Sequence, residues 1–232
     1  MRSIEPGISR FSGAQLRTIV WSFGPSRNDI HEERYMPWPD PITLRGQHAR
    51  LEPLSRQHIE GLTEAVKDGE LSKLWYTAIP LPENMGKEID RRLALQAAGS
   101  MLPFTVFDAG GNIVGMTTYM NIDAANRRVE IGSTWYGKSA QRGPLNTQCK
   151  LLLLRHAFET LNCIAVEFRT HYFNHQSRRA IERLGAKQDG ILRSHQVAPN
   201  GTLRDTVVYS ITAAEWPTVQ AHLEFQLNDK PR

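Results

Sequence analysis

The segment Asn174–Ala186 carries polar side chains suited to chemistry at the start of a short helix whose two ends are marked in the sequence. Asn174 is predicted to cap the helix, because its side-chain oxygen can accept a free N–H of the first turn. Gly185 stands where helices commonly end in the left-handed conformation. Four residues have the spacing of one buried helix face: Ser177, Ala180, Ile181 and Leu184. The first turn would therefore present an amide and a hydroxyl, which can bind a ligand or donate a proton.

An asparagine cap, a small residue three positions later and a Leu-Gly stop resemble the acceptor-side helix of the GNAT superfamily of N-acyltransferases. The fuller pattern N-x-x-S-x-x-A-I-x-R-L-G is similar to that of the RimJ/RimL-like branch, the ribosomal-protein-alanine acetyltransferase type. The resemblance implies an acyl-CoA-dependent N-acyltransferase with acetyl-CoA as the expected donor. It also implies direct transfer to an amine acceptor, with no metal.

A second segment, Gln141–Leu151, resembles the superfamily loop Q/R-x-x-G-x-G/A, which opens a helix and holds pyrophosphate. Free N–H groups and the helix dipole make such a terminus attractive to anions. Pro144 occupies the middle glycine position and lacks an N–H, so one donor is missing. Arg142 and Lys150 could offset this loss with side-chain charge; a plain strand-to-helix turn is the alternative. The expected cofactor-binding residues of this segment are Gln141, Arg142, Gly143, Leu145, Asn146 and Thr147.

Glu130 is the candidate general base, since N-acyl transfer requires an ammonium to lose a proton. It lies 11 residues before Gln141, which is similar to superfamily members with a catalytic glutamate in this strand. The alternative is a solvated glutamate, or a partner for Arg127 or Arg128. Strand alternation predicts one face with Glu130, Gly132 and Thr134, and another with Val129, Ile131, Ser133 and Trp135.

Ser177 is the candidate general acid, because the position where many superfamily members carry a tyrosine holds Ile181 here. The alternative is that Ser177 is a small residue chosen for close packing or capping. The resemblance also implies that Asn174 contacts the pantetheine amide. The backbone groups expected to pair with pantetheine belong to Thr134, Trp135 and Tyr136.

Three further clusters have weaker functional interpretations. Trp75 and Tyr76 either line the acceptor pocket or fill the core. His171 and His175 have a spacing compatible with a metal, but a third ligand is not evident. The arginines at 178, 179 and 183 form a solvated helix face or contact the 3′-phosphate of coenzyme A.

The length of 232 residues fits one domain with a tail, and the composition is globular, with 40% hydrophobic and 22% charged residues. Residues 1–40 contain five Arg, five acidic residues and no Lys, without sustained periodicity. We expect a flexible extension over 1–40 and one domain over 41–232. Cys149 and Cys163 form no CxxC pair and suit small buried hydrophobes of a reduced cytoplasmic protein. No apolar run is long enough for a membrane span.

The chain order from Thr43 predicts a mixed α/β fold with a mostly antiparallel, GNAT-like central sheet flanked by helices. The predicted strands cover 45–53, 102–107, 113–119, 128–135, 165–170, 186–197 and 202–211. The predicted helices follow Ser55 and cover 71–76, 84–100, 146–161, 174–185 and 213–227.

Three classes of function are compatible with these patterns. The leading hypothesis is an N-acetyltransferase acting on a protein N-terminus or a small amine. The second is a non-catalytic acyl-CoA-binding or regulatory module, which Pro144 and Ile181 favour and which Glu130, Asn174 and Ser177 oppose. An RNA-associated factor rests only on the net charge of +4, so a nucleic-acid partner is not expected. A homodimer is left open.

Overall fold

A computed structural model of the chain describes residues 38–228. Most of the predicted extension, residues 1–37, lies outside the described residues. Eight strands form one sheet. They are β1 (Leu44–Arg45), β2 (Ala49–Pro53), β3 (Met101–Asp108), β4 (Ile113–Asp123), β5 (Arg128–Tyr136), β6 (Ala165–His171), β7 (Lys187–Val197) and β8 (Leu203–Thr212).

Five α-helices accompany the sheet: α1 (Ile59–Lys67), α2 (Met85–Ala97), α3 (Leu145–Arg155), α4 (His175–Glu182) and α5 (Trp216–Asn228). The spatial strand order is β1-β2-β3-β4-β5-β6-β8-β7. The neighbouring strands are antiparallel except β5 and β6, which are parallel. The predicted mixed α/β class with a mostly antiparallel sheet is therefore confirmed.

The two faces of the sheet carry two separate hydrophobic clusters. One cluster joins the sheet to α3, α4 and α5 and includes the run Leu151–Leu154, Ile181 and Leu223. The other joins the sheet to α1 and α2 through residues such as Leu62 and Ile89. Removal of the apolar faces of these helices from water is the main force that holds the helices on the sheet.

Three predicted elements differ from the observed ones. The strand predicted over 45–53 is interrupted by a turn, in which the Gly46 N–H donates to the Ala49 carbonyl at 2.9 Å. The helix predicted over 71–76 is a single 3₁₀ turn, Leu71–Lys73, preceded by Glu70 at φ 46°. The helix predicted over 146–161 has a π-helical last turn, His156–Thr160.

Candidate active site

The parallel strands β5 and β6 stop pairing after Glu130, and the gap between them beyond this residue is called the cleft below. The two strands pair at Arg128–Ala165, Val129–Val166 and Glu130–Glu167, and within the described residues the pairing stops there. Beyond Glu130, the edge of β5 that faces β6 has no strand partner among residues 38–228 as far as Tyr136. An unpaired strand edge presents backbone N–H and C=O groups to an extended ligand. The opening therefore provides a backbone binding edge beside Glu130.

A bulge in β5 redirects the side chains along this edge. Met116 pairs with Trp135 and Thr118 with Gly132, so two residues of β5 oppose one residue of β4. Ser133 lies at the extra position with φ 48°. Each extra residue inverts the alternation of the following side chains.

The predicted face assignment is consequently wrong for Trp135 and also for Thr134, whose hydroxyl bonds Lys150 on the α3 side. Val129 and Ile131 belong to the cluster under α3, whereas Trp135 packs with Met116 and Leu62 on the side of α1 and α2. The alternation of side chains between the two faces of β5 is therefore as predicted only up to the bulge at Ser133. The backbone at this point is also unusually close to β4, because a Cβ on Gly115 would lie 2.1 Å from the Trp135 carbonyl oxygen.

Glu130 lies at the point where the strands separate and is only 5% exposed. The side-chain amide of Asn121 donates a hydrogen bond to its Oε2 at 2.6 Å, and the Arg169 Nε lies 3.7 Å from the same oxygen. Burial raises the pKa of the Glu130 carboxyl above its usual value, although Asn121 and Arg169 counteract part of the effect. Glu130 is therefore a buried carboxylate with raised basicity, and the ion-pair partner of Arg128 is Glu167.

The face of β6 nearest Glu130 carries polar side chains in strict alternation. Because β6 pairs with β8 without a register shift, Glu167, Arg169 and His171 point to one side. Arg169 contacts Glu130, so this is the side on which the carboxylate lies. A polar stripe thus runs from Glu130 towards the end of β6.

His171 ends this stripe beneath a group of aromatic rings. The Trp75 ring lies 5.1 Å, the Phe173 ring 5.8 Å and the Tyr76 ring 6.2 Å from the imidazole, measured between ring centroids. The His171 Nδ1 accepts a hydrogen bond from the Phe173 N–H at 3.1 Å, which assigns the proton to Nε2. Among residues 38–228, that buried Nε2 has no hydrogen-bond partner. Burial lowers the pKa of His171.

The structure thus places Trp75 and Tyr76 against His171, outside both hydrophobic clusters. Trp75 is 52% exposed. The sequence did not predict that His171 would present an N–H without a hydrogen-bond partner in the described residues. The only signal for it was its position on β6, an even number of residues from Glu167, which pairs with Glu130.

Helix α4 begins as the sequence predicts. The Asn174 Oδ1 accepts a hydrogen bond from the Ser177 N–H at 3.0 Å, and Gly185 has φ 96°. The cap and the stop of the helix are confirmed. Ser177 is half-buried in the first turn, and Ile181 is buried.

The segment before α3 does not cap the start of that helix with a side chain in the described structure. The Gln141 side-chain amide donates to the Tyr136 carbonyl at 2.9 Å, which ties the loop to the end of β5. Pro144 is the N-cap and makes no side-chain cap hydrogen bond in the described structure. Regular helical bonding starts with the Gln148 N–H and the Pro144 carbonyl at 2.9 Å.

The N–H groups of the first turn of α3 therefore lack intrahelical acceptors. The residues that provide them are Leu145, Asn146 and Thr147. Arg142, with φ 63°, and Gly143 are exposed on the loop that precedes them. This arrangement suits an anion such as a phosphate.

Lys150 has a different position from the one predicted for it as a phosphate partner. The residue is 6% exposed, and its ammonium donates to Thr134 Oγ1 at 2.9 Å and to Thr117 Oγ1 at 3.3 Å, beneath the bulge. Burial lowers the pKa of Lys150 to about 8. The exposed cation of the loop is Arg142 instead.

The described residues contain neither a metal cluster nor a membrane-spanning helix. No group of three or more His, Cys, Asp or Glu residues within 38–228 could hold a metal ion. The helices of that same part of the chain are too short or too polar to cross a bilayer. Cys149 and Cys163 are free and buried, and burial raises their pKa values to about 12 and about 11. Neither thiol is activated as a nucleophile.

Comparison with known proteins identifies the family. A family model described as an acetyltransferase (GNAT) domain matches residues 48–187, more than half of the chain. The chain is 34% identical over 107 residues to YdaF of Bacillus subtilis (strain 168), which is named as a candidate ribosomal N-acetyltransferase. That alignment covers 46% of this chain and only 57% of YdaF.

Two solved structures share the fold over most of their length. A GCN5-related N-acetyltransferase from Brucella melitensis is 30% identical, with a TM-score of 0.75 over 85% of this chain and 91% of that one. RimJ of Mycobacterium smegmatis, solved in complex with CoA-disulfide, is 23% identical, with a TM-score of 0.67 over 82% of this chain and 95% of that one.

Proposed function

This chain belongs to the GNAT acetyltransferase family, whose members are acetyl-CoA-dependent N-acetyltransferases, and we propose that it acetylates the primary amine of a protein N-terminus or of a small molecule. The observation that carries the proposal is the separation of β5 from β6 at a buried glutamate, beside the uncapped start of α3. No finding favours a non-catalytic binding module.

The acyl donor is proposed to lie along the unpaired edge of β5. Its pyrophosphate would accept hydrogen bonds from the first turn of α3, formed by Leu145, Asn146 and Thr147, with Arg142 and Gly143 beside it. Pantetheine would pair with the backbone of Thr134–Tyr136, as a short additional strand does. Gln141 supports this site by holding the loop against the Tyr136 carbonyl. Asn174, at the start of α4, would contact the pantetheine amide.

Glu130 is proposed as the general base. It takes one proton from the acceptor ammonium, and the raised pKa of this carboxyl favours that step. The amine lone pair then forms a C–N bond to the thioester carbon, and the carbonyl π electrons move to oxygen. Collapse of this intermediate breaks the C–S bond, and the sulfur leaves with the electron pair.

Ser177 is proposed as the group that delivers a proton to the leaving thiolate. The proton comes from the new amide nitrogen, so the products are the N-acetylated amine and the free thiol of coenzyme A. The support is the half-buried position of Ser177 in the first turn of a helix that Asn174 caps. No covalent enzyme intermediate is required, and neither Cys149 nor Cys163 takes part.

The acceptor is proposed to lie on the polar stripe that runs from Glu130 to His171. The rings of Trp75 and Tyr76 lie against its far end, and the buried Nε2–H of His171, which has no partner within residues 38–228, would donate to a carbonyl oxygen of the acceptor. An amine next to a carbonyl, as in a peptide N-terminus, suits that arrangement. The name of YdaF, a candidate ribosomal N-acetyltransferase, supports a protein acceptor.

We also propose a cytoplasmic location and leave a homodimer as a hypothesis. Two buried free cysteines suit a reducing compartment. The edge strand β7 is exposed along its length, which offers a surface for a second copy.

The direct test of the proposed activity is thiol release from acetyl-CoA by the full chain. The acceptors are a twelve-residue peptide with a free N-terminal alanine and, separately, spermidine. Release that depends on either amine supports the activity. Absence of release, together with absence of acetyl-CoA binding, contradicts it.

A further inference from the structure

A buried lysine lies directly under the bulge of β5. The Lys150 ammonium donates hydrogen bonds to the hydroxyls of Thr134 and Thr117, which are themselves 2.8 Å apart. The Thr134 hydroxyl also lies within 3.3 Å of the Gly132 carbonyl, on the other side of Ser133. The Thr134 hydroxyl thus connects Lys150 to Gly132 and Thr134, the residues on either side of Ser133.

The charge of Lys150 is uncompensated in the described part of the chain. No acidic side chain in residues 38–228 forms an ion pair with it, whereas the buried Arg92 on the opposite face is paired with Glu88 at 2.7 Å. A buried lone ammonium is costly, so proteins rarely keep one without compensation. A methionine of similar length would fill the same space without that cost.

The charge lies behind the segment that is proposed to bind the acyl donor. Thr134 accepts the shorter hydrogen bond of Lys150, and its backbone belongs to the edge of β5 that faces the cleft. During acyl transfer, negative charge develops on the thioester oxygen. Fixed positive charge and oriented N–H groups in a site of low dielectric stabilise that charge.

We propose that Lys150 is a positioning residue for acyl transfer, which through Thr134 fixes the bulge of β5 and makes the electrostatic potential positive where the carbonyl oxygen of the acyl donor is bound. The proposal rests on the acyl-donor site described above. Lys150 does not touch the donor, because the threonine hydroxyls and the backbone of β5 lie between them.

The test is the infrared carbonyl stretch of [1-¹³C]acetyl-CoA bound to the full chain, with the turnover number and thermal unfolding measured in parallel. In Lys150→Met, the stretch should move to higher frequency because the carbonyl is less polarised. The turnover number should fall about tenfold, the size of a modest electrostatic contribution. Acetyl-CoA affinity should change less than threefold and the melting temperature should not fall.

A pair of threonine variants provides the matched control. Thr134→Val should shift the stretch in the same direction, because it removes the link between the ammonium and the bulge. Thr117→Val removes the longer hydrogen bond of Lys150 and the hydrogen bond between the two threonine hydroxyls, but it keeps the direct link from Lys150 to Thr134 and should have a smaller effect. Lys150→Arg keeps the charge and should keep the polarisation.

The pH dependence of the stretch offers a second readout. Cys149 precedes Lys150 on α3, and its thiol stays neutral because burial raises its pKa to about 12. The wild-type polarisation should therefore decline as the pH rises through about 8, where Lys150 loses its proton. Lys150→Arg should show no such decline.

Three results overturn the proposal. An unchanged stretch and turnover number in Lys150→Met would do so while leaving the proposed function intact. A loss of rate that accompanies a lower melting temperature and weaker acetyl-CoA binding would assign Lys150 a purely structural role. Failure of the wild-type chain to bind acetyl-CoA would remove the proposed function itself and this inference with it.

Discussion

The two strands that border the cleft, β5 and β6, are built in different ways. β5 carries a bulge at Ser133, a buried lysine beneath it and an edge left unpaired within residues 38–228, so its proposed contribution to binding comes mainly from the backbone. β6 pairs with β8 without a shift, and its proposed contribution comes from the alternating side chains Glu167, Arg169 and His171.

This contrast suggests that β5 and β6 recognise different substrates. A backbone edge recognises the constant part of a donor, because N–H and C=O groups are independent of side-chain identity. A side-chain stripe recognises a variable acceptor, since each substitution changes its hydrogen-bonding groups. Changes on β5 and α3 should therefore affect acetyl-CoA, whereas changes on β6 should affect the amine.

The largest effect is expected at Glu130, where the two sides meet. Glu130→Gln should lower the turnover number by about 10²–10⁴-fold, the usual range for loss of a general base, with little change in acetyl-CoA affinity. Since burial raises the pKa of this carboxyl, the wild-type rate should rise with pH through that pKa, and the variant should lack this limb. Steady-state kinetics between pH 5 and 9 measure both.

A matched control for Glu130 is its neighbour on β6. Glu167→Gln removes a carboxylate that pairs with Arg128 and Arg169 and that helps to raise the pKa of Glu130, so the pH limb should persist but move to lower pH. If Glu130→Gln keeps the wild-type rate and profile, the base is another group.

The second largest effect is expected at Ser177. Ser177→Ala removes the proposed proton donor but keeps the backbone N–H that Asn174 caps. The turnover number should fall about tenfold, a small general-acid contribution, while the Kd for acetyl-CoA should change less. Gln176→Ala, at an exposed position of the same turn, is the control. Equal losses of rate and binding would indicate a packing role only.

A moderate effect confined to the acceptor is expected at His171. His171→Phe keeps an aromatic ring under Trp75 but removes the Nε2–H, so the KM for the alanine peptide should rise about fivefold, near one ordinary hydrogen bond. The KM for acetyl-CoA should not change. His171→Gln retains an N–H donor and should be closer to wild type. A larger effect on acetyl-CoA than on the peptide would reverse the assignment of the two sides.

The smallest effect is expected at Pro144, on the donor side. Pro144→Ala restores an N–H at the start of α3, so acetyl-CoA should bind about threefold more tightly, as expected for one additional exposed hydrogen bond to a phosphate. Calorimetric titration measures this change, with Pro199→Ala in the β7–β8 turn as the control. Weaker binding in Pro144→Ala would show that the rigid proline, rather than its missing N–H, governs the loop.

Local sequence signals were sufficient for the fold and for the two helix termini of the site. The Asn174 cap and the Gly185 stop depend on neighbouring residues alone, and the structure has both. The loop after β5 was also located correctly, because a strand, Gln141 and an apolar helix follow one another along the chain. Short-range patterns predict such features well, since each rests on a few adjacent dihedral angles and hydrogen bonds.

Features that depend on contacts across the sheet were missed. The bulge at Ser133 arises from the register of β5 against β4, which no periodicity in β5 alone reveals, so Trp135 was assigned to the wrong face. Lys150 was interpreted as a loop cation, because its threonine partners lie 16 and 33 residues away. The aromatic cover of His171 comes from a segment about a hundred residues earlier in the chain.

The most direct test of the proposed acyl-donor site is a calorimetric titration of the full chain with acetyl-CoA, repeated with desulfo-CoA. We expect one site with a dissociation constant in the micromolar range for both ligands, because the parts that the two ligands share are those proposed to bind the β5 edge and the start of α3. No heat of binding for either ligand at millimolar concentration would contradict the assignment of this cleft to the acyl donor.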